Sequence, residues 1–314
     1  MKHRVLHITN GDCTTDYLKK LQFTGDFITW REMLCEGKTI TDVGSEDFFK
    51  TRYSFLKDSY QISKQRFINY TIKEYRKLCN KKSVDEIVLW FEYDLFCQIN
   101  LLAIISWLKR YRKGYQISLV CSGNVANTKK KLGLTELNEQ QLKTHFKNRI
   151  QLSLDDIEYA DYIWQLYCSE SPLRLESIYQ LNPSKSFQYL FSAIESHLQR
   201  FPSIRNGLNN EENFILQTAQ EQPLHSKKQL IRALLKKQEI FGFGDVQYRN
   251  KIDKLHTLFR SFSPVTLSKK GKQALENEQN LYQELNNENS YLGGAKKYSF
   301  LYQDTSHKLL QITS

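Results

Sequence analysis

Two acids and an amide lie where the sequence predicts the junction of a strand and a helix. Glu92 and Asp94 follow the apolar start of segment 88–102, and Gln98 lies four residues after Asp94. Carboxylates at such a junction can bind an oxygen-liking cation or activate water, and an amide can orient a phosphate. In α/β proteins ligands bind at the ends of strands. The segment therefore predicts a ligand site suited to phosphate groups and divalent metal ions.

Other polar residues follow two earlier strand-like segments. Asn10 and Asp12 come after the first of them, and Arg31 and Glu36 come after the second. Because the carboxyl ends of parallel strands share one edge of a sheet, we expect these side chains to meet those of segment 88–102. Three acids are assigned to binding a cation or activating water: Asp12, Glu36 and Asp94. Three residues are assigned to orienting a phosphate: Asn10, Arg31 and Gln98.

Structural roles for these residues remain open as alternatives. Asp94 fits the N-cap of the following helix, with Gln98 in its hydrogen-bond network, because Asp is a favoured N-cap residue. Asp12 or Thr14 fits the cap of an earlier helix, since Asp and Thr are both favoured at that position. Arg31 could form a structural ion pair with a nearby glutamate. Each of these alternatives would leave the strand ends without a ligand.

Four short segments have the composition of buried strands, and helical patterns separate them. The strand-like segments are 4–9, 25–30, 85–90 and 115–121. Apolar residues recur at helical spacing through 45–82 and 95–112. Strands that alternate with helices are typical of a parallel sheet with crossover helices. We therefore predict an α/β domain over residues 1–135, with the candidate ligand cleft at its strand ends.

Helical patterns dominate after about residue 135. The predicted helices cover 138–150, 155–167, 171–181, 186–200, 210–220, 227–238, 245–262 and 269–277. A short strand is predicted at 264–267, and the tail from 291 to 312 has the pattern of a β-hairpin. Three helices followed by a strand are typical of a winged-helix-like unit, which we place at about 209–282. Residues 136–314 are thus predicted to form a second, mainly α domain.

Basic residues are concentrated in one segment of this second domain. The formal net charge of the chain is +11, and segment 226–270 holds eleven Lys or Arg residues against three acids. A surface of this kind attracts phosphate backbones. Four residues are assigned to nucleic-acid contact: Lys227, Lys228, Arg249 and Lys251. Units of this shape also serve as protein-interaction or purely structural domains, so that alternative stays open.

Several function classes lack their motifs in this sequence. No Walker A loop, Gly-x-Gly-x-x-Gly, His-Glu-x-x-His or EF-hand pattern occurs. The six cysteines are scattered, without a Cys-x-x-Cys pair, which fits a reducing compartment. The start of the chain has no long apolar segment of a signal peptide, and no apolar run approaches the roughly 20 residues that span a bilayer. These features predict a cytoplasmic protein without a membrane partner.

Three N-terminal segments resemble the signature blocks of a bacterial family, domain of unknown function 1835. They read His7-Ile-Thr-Asn-Gly-Asp-Cys13, Trp30-Arg-Glu-Met-Leu-Cys-Glu-Gly37 and Leu89-Trp-Phe-Glu-Tyr-Asp-Leu-Phe-Cys-Gln98. Three later segments are similar to the family's C-terminal part: Arg200-Phe-Pro-Ser-Ile-Arg-Asn-Gly-Leu208, Phe243-Gly-Asp245 and Leu292-Gly-Gly294. The resemblance implies an architecture and candidate positions, without an activity. The family pattern usually has Ser in place of Cys13 and often Asp in place of Cys97, which weakens any role for these thiols as nucleophile or ligand.

Two functional hypotheses follow from the sequence. In the first, a nucleotide or nucleic acid binds through its phosphates at the strand-end cleft, and metal-dependent phosphodiester hydrolysis is the reaction that the acids suit. In the second, a non-catalytic protein binds DNA or acts as an adaptor through the basic winged-helix-like region. A divalent metal is the cofactor that the acids suggest, and the sequence indicates no particular protein partner.

Overall fold

Short strands and helices make up most of the described chain. The computed structural model describes residues 3–81, 83–125, 128, 130–180 and 184–312. Its strands are β1 (Val5–Asn10), β2 (Asp26–Trp30), β3 (Gly37–Lys38), β4 (Glu86–Glu92), β5 (Gln116–Ser122), β6 (Ile150–Gln151), β7 (Phe259–Phe262), β8 (Val265–Leu267), β9 (Tyr291–Gly293), β10 (Ala295–Lys296), β11 (Phe300–Gln303) and β12 (Lys308–Gln311). Its α-helices are α1 (Asp12–Lys20), α2 (Glu46–Tyr60), α3 (Lys64–Phe67), α4 (Lys73–Asn80), α5 (Leu95–Tyr111), α6 (Glu139–Lys147), α7 (Leu154–Tyr167), α8 (Leu190–Leu198), α9 (Asn210–Glu221), α10 (Lys227–Lys237), α11 (Asp245–Lys254), α12 (Lys269–Leu275) and α13 (Tyr282–Leu285).

The main sheet has the strand order β2-β1-β4-β5-β6. The first four strands are parallel, and β6 pairs antiparallel with β5. The predicted α/β class and the four predicted strands are therefore confirmed, whereas the two-residue β6 was not predicted. The strand order reverses between β1 and β4, so their carboxyl ends flank the crevice where open α/β sheets bind ligands.

Alternate residues of β4 pack on opposite faces of the sheet. Val88 and Trp90 belong to a core with α1 and α6, while Leu89 and Phe91 face the larger core that contains α5 and α7. Both faces are thus covered, which explains why β4 reads as a continuous apolar run. Helix α5 is buried almost all round, and its position fixes the polar residues at its start.

The long helical pattern at 45–82 is interrupted. Helix α2 ends where Gln61 adopts a left-handed conformation, and Ser63 then caps α3 by accepting a hydrogen bond from a backbone N–H at 3.2 Å. The predicted end of this region, Lys82, and the predicted end of the helix at 171–181, Leu181, lie outside the described residues.

The C-terminal half is mainly helical, as predicted, but several elements differ from the prediction. The segment predicted as a helix at 171–181 is a 3₁₀ helix over Pro172–Gln180, and the tail from 291 to 312 forms two strand pairs in place of one hairpin. The helix predicted at 245–262 ends at Lys254, and its last four residues form β7, which pairs antiparallel with β8. Apolar residues at Leu255, Leu258 and Phe262 continue the helical spacing and hide the strand. Whether α9, α10, α11 and this hairpin form a winged helix stays a prediction.

Contacts between the two halves are extensive. Helix α7 packs along α5, and β6 extends the main sheet, so the chain after residue 135 continues to pack on the sheet. Strand β9, near the end of the chain, pairs in parallel with β3. An antiparallel hairpin of β11 and β12 ends the described chain. Within the ranges described above, no helix has the length and apolar composition to cross a bilayer.

Candidate functional site

The side chain of Asn10 is held between β1 and α5. Its Oδ1 accepts a hydrogen bond from Asn100 Nδ2 at 2.8 Å, and its Nδ2 donates to Cys97 Sγ at 2.9 Å. Asn100 also donates to the carbonyl of Glu32 at 2.6 Å and accepts from the N–H of Leu34 at 3.1 Å. Asn10 is therefore part of a hydrogen-bonded bridge from β1 through α5 to the segment after β2.

Asp94 is the N-cap of α5. Its Oδ1 accepts a hydrogen bond from the N–H of Cys97 at 2.7 Å, and the residue is only 7% exposed. Gln98 donates from Nε2 to the carbonyl of Glu92 at 2.7 Å. Both residues therefore hold the β4–α5 junction together, which is the alternative that the sequence left open for them.

A loop from the C-terminal half, residues 240–242, closes over the start of α5. The first two N–H groups of the helix donate to the carbonyls of Ile240 and Phe241 at 2.7 and 3.2 Å. A Cβ on Gly242 would lie 2.2 Å from Oδ1 of Asp94, so only glycine allows this approach. The loop thus occupies the N–H groups that an anion at this helix N-terminus would use.

Glu92 and Asp94 form a close pair of acids beside the thiol of Cys97. One ligand atom of each of the three residues lies within 4.8 Å of the other two. Burial, with the neighbouring Asp94 carboxylate, raises the pKa of Glu92 to about 7. Burial also raises the pKa of Asp94, to about 6. Crowded acids of this kind are stabilised by a shared proton or a bound cation.

Asp12 and Arg31 pair with each other at the ends of β1 and β2. The Arg31 guanidinium donates from Nε to Oδ2 of Asp12 at 2.9 Å and from Nη2 to Oδ1 at 2.6 Å. Arg31 Nη1 also donates to the carbonyl of Tyr70 at 3.2 Å and lies 3.7 Å from Glu74. The hydrogen bond to Asp12 raises the pKa of Arg31 despite its partial burial. The structure thus brings two predicted site residues together in an ion pair, apart from the Glu92–Asp94 pair.

Glu36 lies in a different place, in contact with the C-terminal half. Its Oε1 is 2.6 Å from Nζ of Lys251, and its other oxygen accepts a short hydrogen bond from the hydroxyl of Tyr60. Burial alone would raise the pKa of Glu36, but the charges of Lys251 and Arg200 outweigh it and lower the pKa. Glu36, which was predicted for the strand-end site, and Lys251, which was predicted for nucleic-acid contact, therefore form an ion pair with each other.

Glu211 and Arg200 complete this network, and both are almost fully buried. Glu211 pairs with Lys251 at 2.7 Å and with Arg200. Burial opposes ionisation, yet the charges of Arg200 and Lys251 bring the pKa of Glu211 down to about 2. Sequence reasoning passed over Glu211 because it resembles the ordinary acids in the first turn of a helix. For its buried partner Arg200, the only signal in the sequence was that it begins one of the segments that resemble the bacterial family.

A cleft of about 1270 Å³ opens above this ion network. Helix α2 and β3 line one side, and α9, α11 and the segment around β9 line the other. The cleft therefore lies between the two halves of the chain, away from the edge of the main sheet where the sequence placed the site.

The four residues assigned to nucleic-acid contact have different surroundings. Lys227 pairs with Asp253, and Arg249 lies 3.6 Å from Asp245. Lys251 is enclosed in the network below the cleft. Lys228 is exposed and has no ion-pair partner within the described part of the chain. It begins a row of exposed basic residues on α10: Lys228, Arg232 and Lys236.

Comparison with known proteins gives little further guidance. No protein-family model matches the chain, and no curated protein is similar to it. Among solved structures, the DNA-binding, cleavage and re-ligation domain of Plasmodium falciparum topoisomerase II is similar at 10% sequence identity and a TM-score of 0.45. The match covers 81% of this chain and 42% of that one, so this chain spans less than half of the topoisomerase domain. A likeness at this level carries no argument about fold or function.

Proposed function

We propose that this protein is a cytoplasmic nucleic-acid-binding protein whose helix α10 contacts the phosphate backbone. The observation that carries the proposal is the row of Lys228, Arg232 and Lys236. All three side chains are exposed, and the described residues offer none of them an ion-pair partner. Residues four apart lie on one face of a helix, about 6 Å from each other along the axis. The row is therefore a continuous positive surface.

The packing of α10 supports the orientation of these three basic side chains toward solvent. Leu230, Ile231 and Leu234 are buried on the other side of the helix. The hairpin of β7 and β8 lies beside the start of α10, since Lys227 Nζ is 5.4 Å from the ring centre of Phe262. Exposed Arg260 on β7 adds a further positive charge to this side of the molecule.

A winged-helix-like unit at 209–282 remains part of the proposal. Its support is the hairpin after α11, together with a hydrogen bond from the N–H of Val265 to the carbonyl of Leu224 at 2.8 Å. The exposed side of α11 carries Asp245 and Asp253, which pair with basic residues. Because these acids repel DNA from α11, this helix is not expected to read bases. Binding is therefore expected to depend on backbone charge more than on base sequence.

The strand-end cleft has weaker support as a phosphate site. Asn10, Arg31 and Gln98 all form hydrogen bonds within the protein, and the loop at 240–242 covers the start of α5. A ligand there would have to displace these contacts.

Duplex DNA titrated with the intact chain at several salt concentrations tests the main proposal. We expect the logarithm of the binding constant to fall linearly with the logarithm of salt, with similar values for unrelated sequences. Failure to bind DNA at low salt would contradict the proposal.

A divalent cation held by Glu92, Asp94 and Cys97 is a second candidate function. The observation in its favour is that one ligand atom from each lies within 4.8 Å of the others. Two carboxylates and a thiol suit Zn²⁺ better than Mg²⁺, since thiolates are soft ligands. Burial and the neighbouring carboxylates raise the pKa of Cys97 and oppose formation of its thiolate, so the two acids would be the main ligands. Such an ion at the edge of the sheet is what the predicted metal-dependent phosphodiester hydrolysis would need.

Calorimetric titration with Zn²⁺ tests the metal site. Binding should release protons, because the raised pKa values of Glu92 and Asp94 leave protons for the cation to displace. Glu92→Gln should weaken binding about tenfold or more, whereas Glu170→Gln, which alters an exposed acid elsewhere, should not. Equal affinity in the two variants would remove this candidate.

Membership of the family called domain of unknown function 1835 is also a proposal. It is supported by contacts between the segments that carry the resemblance. Arg200 lies 4.0 Å from Glu36, and Gly37 pairs with Leu292 in adjacent strands.

A further inference from the structure

The cleft above the Glu36–Lys251 ion pair is large enough for a small-molecule ligand. Its volume of about 1270 Å³ exceeds the roughly 300–1,000 Å³ of ordinary small-molecule sites. Side chains from both halves of the chain line it, including Phe55 and Tyr60 from α2 and Tyr298 near the end of the chain. A ligand bound here would therefore touch both halves.

The charges on the floor of the cleft nearly cancel. Three carboxylates lie there, and each has a cation beside it. Glu36 and Glu211 contact Lys251 at 2.6 and 2.7 Å. Glu211 also pairs with Arg200, and Glu212 lies 2.9 Å from Nζ of Lys297. Three acids are thus balanced by three bases.

Besides Lys38, which lies over the ring of Tyr291 with Nζ 4.8 Å from the ring centre, the cleft holds a further cation, Lys254. It lies one turn after Lys251 on α11, and no carboxylate of the residues that the structure describes forms an ion pair with it. Partial desolvation in the cleft and the charge of Lys251 lower its pKa, as expected for an ammonium that lacks a counter-ion. An incoming anion would supply the missing negative charge.

We propose that Lys254 binds the phosphate group of a small phosphate-bearing molecule in this cleft. The nearby segment 286–289 offers further donors, because the side-chain amides of Asn286 and Asn289 donate no hydrogen bond to other described residues. Tyr291 and Tyr298 line the same cleft and provide aromatic surface for the rest of the molecule.

Acids at the rim limit where the phosphate can lie. Asp58, Glu284 and Glu288 also line the cleft, and Lys270 pairs with Glu284. The remaining negative charge near the opening repels a polyanion. The cleft therefore favours a small ligand at the exposed Lys254, in contrast to the open positive surface of α10.

Amine labelling of the intact chain tests the contact directly. The acetylation rate of each lysine is measured by mass spectrometry in sodium phosphate and in sodium chloride of equal ionic strength. Phosphate should slow acetylation of Lys254 several-fold and leave Lys147, an exposed lysine on α6, unchanged. Equal rates at Lys254 in the two salts would overturn the proposal.

Two matched variants separate the cleft from the α10 surface. Phosphate at low millimolar concentration, with sodium chloride making up the ionic strength, should raise the melting temperature of the wild-type chain, because a ligand that binds only the folded state stabilises it. This concentration is too low for the general stabilising effect of phosphate on proteins. Lys254→Met should abolish this rise, and Lys228→Met should retain it. If Lys228→Met abolished the rise while Lys254→Met kept it, the phosphate would bind α10 and the proposal for the cleft would fail.

Discussion

Lys251 Nζ lies 2.6 Å from Oε1 of Glu36, and this contact joins α11 to the segment after β2. The same nitrogen lies 2.7 Å from Oε2 of Glu211. One ammonium group therefore contacts two buried carboxylates from distant parts of the chain, and Arg200 supplies the second positive charge beside them. Because a buried charge without a partner is costly, this contact is expected to be a main electrostatic link between the two halves.

Lys251→Met tests that link. The change removes the ammonium and keeps much of the volume of the side chain. We expect the free energy of unfolding to fall by about 3–5 kcal/mol, because Glu36 and Glu211 stay buried with less compensation. Urea denaturation at neutral pH measures the loss. Lys254→Met, one turn further along α11, is the matched control and should cost less than about 1 kcal/mol. Similar losses of unfolding free energy in Lys251→Met and Lys254→Met would contradict the role of Lys251 as the electrostatic link.

Gly242→Ala tests the closure of the loop over α5. The new Cβ would lie 2.2 Å from Oδ1 of Asp94, at a residue with φ +69°. Gly114→Ala is a matched control, because Gly114 has φ +82° and open space around it. Backbone strain should cost both variants about 1–2 kcal/mol. Thermal unfolding should show a larger loss for Gly242→Ala, and equal losses would mean that the loop moves away from Asp94 without cost.

The pH dependence of stability should report on Glu92. Its pKa rises from an ordinary 4.5 to about 7 in the folded protein. The folded state thus holds this proton more tightly than the unfolded chain, so stability falls as the pH rises through this range. Glu92→Gln removes that loss. The free energy of unfolding of Glu92→Gln minus that of the wild type should therefore increase by about 2–3 kcal/mol as the pH rises from 4.5 to about 7. One pKa unit is worth about 1.4 kcal/mol.

Urea denaturation of both proteins across this pH range provides the measurement. Glu170→Gln, which alters an exposed acid, is the control and should follow the wild type. A constant difference between Glu92→Gln and wild type would show that the Glu92 carboxyl is not perturbed by folding.

Much of the N-terminal fold could be predicted because its signals are local. The apolar run that forms β4 identifies a buried strand, and its alternation with helical patterns predicts a parallel sheet. The capping role of Asp94 was also available as an alternative, since Asp before an apolar helix is a common N-cap. The strand β7 was missed because its apolar residues continue the spacing of the preceding helix.

The surroundings of charged residues could not be predicted in the same way. A count of basic residues does not distinguish Lys228, which is exposed, from Lys251, which lies between two carboxylates. Likewise, the position of Glu36 after a strand suggested the sheet edge, whereas tertiary packing places it against α11. Such pairs join residues far apart in sequence, and no local pattern records them.

The salt dependence of DNA binding by a variant of α10 tests the central claim most directly. Lys228→Gln, Arg232→Gln and Lys236→Gln are combined in one chain. A control chain carries three equivalent charge losses at exposed lysines elsewhere: Lys20, Lys57 and Lys147. If all three α10 residues contact phosphates, the slope of log binding constant against log salt should decrease in magnitude by roughly 3 in the α10 variant. The control should keep the wild-type slope. Equal slopes in the two variants would contradict binding through α10.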